Sequence, residues 1–224
     1  MRRRSPADSR TARSPAWSPD GRRIAFASYD CAIPDPYYGT PCGDLLLGLM
    51  DPDGTNRVTL PFPSGVQYAW DLSWSPDGTR LAFTCRVEQS DPIGDTDVCV
   101  MSADGRNLVV ITGPETHDMY PSWSPDGRRI VFQISQPLAT SRTEHPYRLA
   151  VMDADGANLR LIGDNLFGMS PSWSPDGSWI VFTGYFGEDP QNLGVGGVRM
   201  VDAGGNVIID ITDRSGDYTP VWRR

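Results

Sequence analysis

The chain has 224 residues, a formal net charge of −8 and 20 basic residues, all of which are arginine. The absence of lysine excludes Schiff-base chemistry, a lysine general base and the phosphate-binding Walker loop, which requires a lysine. With 39% hydrophobic and 10% aromatic residues, the composition is that of a globular protein, and the apolar runs are too short to cross a bilayer.

The start of the chain is basic and the rest is acidic. Residues 1–23 hold seven Arg and two Asp, net +5, and the remainder holds 13 Arg and 26 acidic residues, net −13. Because phosphate binding requires clustered cations, the acidic part argues against nucleic acid as a partner. Residues 1–13 are predicted to be a disordered basic tail. No apolar stretch of a signal peptide follows the arginines, and a true N-terminus that is missing or misplaced is the alternative.

From residue 14 onward the sequence repeats. The string Trp-Ser-Pro-Asp-Gly occurs four times, beginning at Trp17, Trp74, Trp123 and Trp173 and ending at Gly21, Gly78, Gly127 and Gly177. A fifth copy begins at Pro220-Val221-Trp222. Each complete copy is followed by an Ile/Leu-x-Phe run, by a segment related to Val-Met-Asp-x-Asp-Gly, and by a short β-branched run.

The local chemistry of each repeat predicts four short antiparallel strands. In Ser-Pro-Asp-Gly, proline and glycine have the backbone preferences of a tight turn, and the later Asp-Gly serves the same purpose between the third and fourth strands. The runs between the turns are β-branched and aromatic, without helical spacing.

Since one such sheet cannot bury both of its faces, the four units must stack on one another. Radial stacking of four-stranded sheets is a β-propeller, the fold class we predict. The predicted repeats cover residues 14–70, 71–120, 121–170 and 171–217, with a partial fifth unit over residues 218–224. A β-sandwich is the alternative, but a sandwich needs no motif at a fixed period.

The repeated Trp-Ser-Pro-Asp-Gly and Val-Met-Asp-x-Asp-Gly segments resemble the WD-like propeller repeat of the TolB family. This repeat also occurs in the propeller domains of prolyl-oligopeptidase-type peptidases and of the tricorn protease. The resemblance covers about residues 14–222. It implies a ring of about six blades and, in TolB proteins, an additional N-terminal α/β domain that has no counterpart here.

Four complete units and one further inner strand leave the closure of the ring open. The alternatives are a small or open ring, part of a longer protein, or a ring completed by a second copy through self-association.

The antiparallel order of the strands gives each unit two different ends. Turns between the first and second and between the third and fourth strands are short and lie at one end, here called the turn face. The other connections are long and varied and lie at the opposite end, here called the long-loop face. Because long loops commonly carry function, the long-loop face is the predicted binding face.

Aromatic and acidic residues lie in or near these long connections, and such residues suit recognition of a peptide, a basic partner or a sugar. Packing of several aromatic side chains within their own loops is the alternative. The predicted binding residues are Tyr37, Tyr38, Tyr68, Trp70, Asp71, His117, Asp118, Tyr120, Tyr147, Tyr185, Asp217 and Tyr218. The repeated Trp17, Trp74, Trp123 and Trp173 are instead predicted to be core residues between blades, because each has a fixed place in the first strand. The glycines that end the same motifs, Gly21, Gly78, Gly127 and Gly177, are predicted to be turn residues.

The sequence contains no recognised catalytic motif. There is no Gly-x-Ser-x-Gly elbow, no His-Glu-x-x-His and no dinucleotide-binding glycine motif. Only His117 and His145 are present, too few for a three-histidine zinc site. A mixed site with His117, Asp118 and further carboxylates is the alternative, but the expectation is a protein without a cofactor.

The four cysteines lie in two local pairs. Cys31 and Cys42 lie within one long connection, and Cys85 and Cys99 flank the next. We predict two disulfides, which favour the periplasm or the cell exterior. Four reduced thiols are the alternative.

These patterns favour a non-catalytic TolB-like propeller that binds a protein or peptide on its long-loop face. It is expected neither to bind nucleic acid nor to insert into a membrane. The alternatives are an accessory or gating propeller of a prolyl-oligopeptidase-type peptidase, and a metal-dependent lyase or hydrolase that uses the central channel.

Overall fold

The computed structural model describes residues 11–29, 45–61, 65–87, 96–114, 116–135, 147–163, 166–185, 196–212, 220 and 222. Within these ranges every regular secondary-structure element is a β-strand, and the strands form four four-stranded antiparallel sheets. The described part of the chain has no helix that is long and apolar enough to span a membrane.

The sheets follow one another along the chain and are here called blades 1 to 4. Blade 1 contains β1 (Thr11–Trp17), β2 (Ile24–Tyr29), β3 (Leu45–Met50) and β4 (Val58–Thr59); blade 2 contains β5 (Val66–Trp74), β6 (Arg80–Val87), β7 (Asp97–Ser102) and β8 (Val109–Val110). Blade 3 contains β9 (His117–Trp123), β10 (Arg129–Ser135), β11 (Arg148–Asp153) and β12 (Arg160–Leu161); blade 4 contains β13 (Gly168–Trp173), β14 (Trp179–Tyr185), β15 (Gly196–Asp202) and β16 (Ile208–Asp210).

Strands pair in chain order within every blade, so the predicted all-β fold of four-stranded antiparallel blades is confirmed. Strand β1 begins at Thr11, three residues before the predicted start of the propeller. Residues 1–10 of the predicted tail lie outside the described residues.

The Trp-Ser-Pro-Asp-Gly turns share one set of hydrogen bonds, which blade 2 illustrates. Gly78 N donates to Ser75 O at 2.9 Å, with Gly78 at a φ of +70°. Ser75 Oγ donates to Asp77 Oδ1 at 2.6 Å and accepts from Arg80 N at 2.9 Å. These bonds explain why serine precedes proline in each repeat, since its hydroxyl joins the two sides of the turn. In blade 4 the matching bond from Ser174, together with two bonds from Ser178, lowers the pKa of Asp176 to about 2.

Blades 2 to 4 each pack their second and third strands against the preceding blade. The side that contacts the preceding blade is here called the leading face, and the opposite side the trailing face. Phe83, Phe132 and Phe182 of the three Ile/Leu-x-Phe runs in blades 2 to 4 are fully buried on leading faces. The core therefore consists of layers between consecutive sheets, as stacking of repeats requires.

The repeated tryptophans join neighbouring blades. Trp74 Nε1 donates to Ala16 O in blade 1 at 3.1 Å, and Arg80 of blade 2 lies 4.5 Å from the ring centroid of Trp123 in blade 3. Trp74, Trp123 and Trp173 are 7%, 6% and 5% exposed, in agreement with their predicted core position.

Trp17 differs from this prediction because its side chain is 57% exposed. The reason is its position in blade 1: among the described strands, those of blade 1 make no contact with those of blade 4. None of the described sheets therefore covers the leading face of blade 1. At the other end, Trp222 Nε1 donates to Ser172 O at 3.1 Å, which repeats the contact of Trp74 with blade 1. Trp222 thus occupies the position expected for the first strand of a fifth unit.

Candidate functional site

The predicted binding residues that the structure describes lie on strands at or toward the long-loop face, mainly in blades 2 and 3. Tyr68 and Trp70 lie in β5, and His117 marks the start of β9. Tyr147 directly precedes β11, and Tyr185 ends β14. Tyr37, Tyr38, Asp217 and Tyr218 lie outside the described residues.

All four innermost strands contain the same irregularity, three residues before the repeated tryptophan. The residues there have positive φ although none is glycine: Ser14, Asp71, Tyr120 and Ser170 at +50°, +54°, +56° and +51°. The pairing register shifts at each of these places, as in a β-bulge. Bulges redirect side chains and are common beside functional sites. In each blade the bulge separates the part of the innermost strand near the long-loop face from the part near the turn face.

An aromatic pair lies on the long-loop side of the bulge in blade 2. The rings of Tyr68 and Trp70 stack with centroids 5.0 Å apart and an interplanar angle of 27°. The Arg86 guanidinium lies 5.9 Å from the Tyr68 ring centroid, within the range of a cation–π contact. Both aromatic side chains are half-buried and pack against the core between blades 1 and 2, so each keeps part of its surface exposed.

Asp71 and Tyr120, on adjacent blades, meet at one hydroxyl group. Thr84 Oγ1 donates to Asp71 Oδ2 at 3.1 Å and accepts from Tyr120 N at 3.1 Å. Burial raises the pKa of Asp71 from its ordinary 3.8 to about 6, and the Thr84 bond only partly opposes this. Two of the predicted site residues are therefore held together by Thr84, which joins the bulges of blades 2 and 3.

His117 and Asp118 meet blade 2 at Thr96. Thr96 N donates to His117 Nδ1 at 3.2 Å, and Asp118 N donates to Thr96 O at 2.8 Å. The Asp118 carboxylate accepts from Thr116 Oγ1 at 2.8 Å and is fully buried. Asp118 is thus buried in the contact between blades 2 and 3, whereas His117 lies half-buried at the edge of this contact.

Three residues of this region had not been identified from the sequence: Arg86, Thr84 and Thr96. The available signal for Thr84 was its place directly after the Ile/Leu-x-Phe run, where alternation directs a side chain to the following blade. No comparable signal marks Arg86 or Thr96.

The cysteine pairing predicted for blade 2 is confirmed. Cys85 and Cys99 form a disulfide between β6 and β7 with Cα atoms 5.8 Å apart, and both are fully buried in the layer between blades 1 and 2. The predicted pair of Cys31 and Cys42 lies outside the described residues.

The opposite end of the central axis contains a cavity of about 590 Å³. Its walls come from all four blades and include Trp74, Trp123, Trp173 and Trp222. Among the residues that the structure describes, no three His, Cys, Asp or Glu side chains are grouped so as to hold a metal ion.

No protein-family model matches the chain. Curated relatives include the Tol-Pal system protein TolB of Anaeromyxobacter dehalogenans, 38% identical over 111 residues, which are 49% of this chain and 21% of that protein. A TolB homolog of Chlorobium luteolum is 31% identical over 119 residues, 53% of this chain and 23% of that protein. The uncharacterized peptidase YuxL of Bacillus subtilis is 32% identical over 122 residues, 54% of this chain and 17% of that protein. The matched part is thus about a fifth of the length of these relatives.

Solved structures with the same fold include a putative TolB from Agrobacterium tumefaciens, with a TM-score of 0.68 and 21% identity over 94% of this chain and 65% of that one. An oligogalacturonate lyase in complex with manganese has a TM-score of 0.58 and 14% identity over 91% of this chain and 54% of that one. At these identities the structural matches establish the β-propeller fold, and in sequence about half of the chain is similar to part of TolB proteins.

Proposed function

We propose that the chain is a non-catalytic TolB-like propeller that binds a protein or peptide on its long-loop face. The observation that carries the proposal is the stacked pair of Tyr68 and Trp70, 5.0 Å apart beside Arg86. Rigid aromatic side chains with a polar edge are typical anchors of protein interfaces, because few torsions are frozen on binding.

The overall charge of the chain favours a partner with basic groups. The chain beyond residue 23 has a net charge of −13. Opposite charge on the partner would raise its association rate and fix its orientation.

A peptide selected for binding to the chain provides the test. Peptides selected from a random displayed library against the purified chain are measured by isothermal titration calorimetry. We expect Tyr68→Ala and Trp70→Ala each to weaken binding by at least about tenfold, or 1.4 kcal/mol. The matched control is Arg128→Ala, an exposed position on the turn face, which should leave the affinity unchanged.

A second set of variants tests the face as a whole. Ala substitutions of Tyr120, Tyr185 and Tyr218 should also weaken the selected peptide. The proposal is wrong if these variants bind normally while substitutions on the turn face abolish binding.

The disulfide of blade 2 supports a location in the periplasm or at the cell exterior, because buried structural disulfides persist in oxidising compartments. Thiol titration of the protein unfolded without reductant measures this. No reactive thiol is the expected result, and four reactive thiols would contradict the proposed location.

A second candidate function is that of an accessory or gating propeller of a prolyl-oligopeptidase-type peptidase. The 32% identity with the peptidase YuxL favours it. Immunodetection in the native cell distinguishes the candidates, because a catalytic domain on the same polypeptide gives a band far heavier than 24.6 kDa.

The remaining alternative is a metal-dependent lyase or hydrolase. The manganese-bound oligogalacturonate lyase shares the fold of the chain, and at 14% identity this similarity supports no more than the fold. Metal analysis of the purified protein, together with thermal unfolding in EDTA, tests it directly. Stoichiometric metal and a loss of stability in EDTA would favour the enzyme over a binding propeller.

A further inference from the structure

The leading face of blade 1 resembles a surface that is buried in blades 2 to 4, but no described sheet covers it. Trp17 is 57% exposed, whereas its counterparts in blades 2 to 4 are at most 7% exposed. Ile24, Phe26 and Met50 are half-buried, while the corresponding Leu81, Phe83 and Met101 of blade 2 are fully buried.

The third-to-fourth-strand turns show the same difference. A Cβ atom at Gly105 would lie 2.5 Å from Pro61 O, and one at Gly156 would lie 2.8 Å from Ile111 O, both in the preceding blade. At Gly54, the equivalent glycine of blade 1, a Cβ atom would meet nothing within 4 Å. This turn has the shape needed to contact a preceding blade, and none of the described residues fills that place.

The trailing face of blade 4 presents the other half of this contact. Ile211 N bonds Val198 O, as Leu60 N bonds Leu47 O and Ile162 N bonds Leu149 O. Ile211 therefore occupies the position against which the glycine turn of the next blade packs. It is 50% exposed, whereas Leu60 is 6% exposed and Ile162 is fully buried.

The charges of the two ends are also complementary. The described residues 11–23 of blade 1 carry three Arg and one Asp, net +2, and the described residues of blade 4, 166–185 and 196–212, carry one Arg and three Asp, net −2. Opposite charges of this size favour an approach of one end to the other.

We propose that the chain associates with a second copy head to tail, so that the leading face of blade 1 of one copy packs on the trailing face of blade 4 of the other. Gly54 then lies over Ile211 of the second copy, as Gly105 lies over Leu60 and Pro61 within one chain. Trp17 takes the acceptor Ser172 O in the second copy once Trp222 of that copy is displaced from it. These surfaces are separate from the proposed peptide-binding face, so this inference does not depend on it.

Trp222 competes with this contact. Its indole already donates to Ser172 O at 3.1 Å within its own chain, the acceptor that the incoming Trp17 requires. Trp222→Ala should therefore strengthen association, whereas weakened association would overturn the proposed register.

Two variants each block one half of the contact. Gly54→Asn keeps the positive φ of +82° accessible, because asparagine tolerates this region, but adds a side chain where the interface has no space. Ile211→Asp places a charge at the centre of the trailing contact. Their matched controls are Gly65→Asn, also an open glycine at positive φ, and Val109→Asp, where the valine is 55% exposed.

Light scattering over a range of concentrations, with sedimentation, measures the association. The wild-type mass should rise above 24.6 kDa with concentration. Gly54→Asn and Ile211→Asp should each weaken association at least tenfold, and the controls should behave as the wild type does. An equimolar mixture of the two blocked variants should form a 1:1 complex, because each retains the face that the other lacks.

The proposal is overturned by a wild-type chain that stays monomeric up to millimolar concentration. It is equally overturned if both variants are folded by circular dichroism and their mixture forms no complex. Should either variant fail to fold, Trp17→Ala provides a third test, since this exposed side chain contributes little to the fold of the free chain. Its failure to weaken association would also contradict the contact.

Discussion

Thr84 Oγ1 donates a hydrogen bond of 3.1 Å to Asp71 Oδ2 while it accepts another of 3.1 Å from Tyr120 N. One hydroxyl group thus connects the bulge of blade 2 with the bulge of blade 3. Because the proton of this hydroxyl points at Asp71, the bond persists whether Asp71 is charged or neutral. Protonation of Asp71 instead removes the free-energy cost of burying its charge.

Asp71 should make the stability of the propeller depend on pH. Burial raises its pKa in the folded chain from 3.8 to about 6, so between these values the folded chain binds more protons than the unfolded chain. The stabilisation from protonated Asp71 is present below pH 3.8 and is lost as the pH rises through about 6. The pKa difference corresponds to at most about 3 kcal/mol.

Urea unfolding of Asp71→Asn and of the wild type, compared from acid to neutral pH, measures this effect. Asparagine accepts the Thr84 bond without a charge. Above pH 7 we expect the free energy of unfolding of the variant to be about 1–3 kcal/mol higher than that of the wild type. In acid, where Asp71 is protonated, this difference should vanish. A difference that does not change with pH would contradict the raised pKa.

Removal of the blade 2 disulfide should lower stability without changing the fold. Cys85 and Cys99 close a loop with a sequence separation of 14, for which the restricted unfolded chain contributes about 3 kcal/mol. The Cys85→Ala/Cys99→Ala variant should therefore lose about this much free energy of unfolding, measured in urea. Because both sulfur atoms are fully buried, mild reductant should not reduce the folded protein, and rapid native-state reduction would contradict the burial.

The sequence predicted the features that local chemistry determines. The Ser-Pro-Asp-Gly turns follow from the torsional preferences of proline and glycine, and their fixed spacing implies equivalent sheets that stack. The pairing of Cys85 with Cys99 followed from their places on the two sides of one connection. Each of these depends on residues close together in the chain.

Features that depend on neighbouring blades were not predictable in the same way. Trp17 shares its motif with Trp74, yet only the structure shows that Trp17 is 57% exposed, with none of the described sheets over it. Asp118 was predicted from residue type to face a partner, but contacts with Thr96 and Thr116 bury it. The bulge at Asp71 likewise arises from strand pairing, and no glycine marks it.

The hydrogen bond between blades 1 and 2 should make Trp74 far more sensitive to substitution than Trp17. Trp74→Phe removes the donor to Ala16 O and some buried area, at an expected cost of about 1–2 kcal/mol. Trp17→Phe is the matched control in the same motif, and its expected effect is within about 0.5 kcal/mol because the side chain is exposed. Urea unfolding at a concentration where the chain is monomeric measures both, and equal costs would show that Trp17 is covered in solution.

The glycines of the third-to-fourth-strand turns separate backbone strain from contact between blades. Gly54 and Gly105 have nearly the same φ, +82° and +84°, so alanine imposes a similar local strain of about 1 kcal/mol at either position. Only at Gly105 does the added Cβ atom meet backbone, 2.5 Å from Pro61 O, which forces blades 1 and 2 apart. We expect Gly105→Ala to cost about 3 kcal/mol and Gly54→Ala about 1 kcal/mol in the monomeric chain. Equal losses in urea unfolding would mean that the turn of blade 2 does not support the contact between the blades.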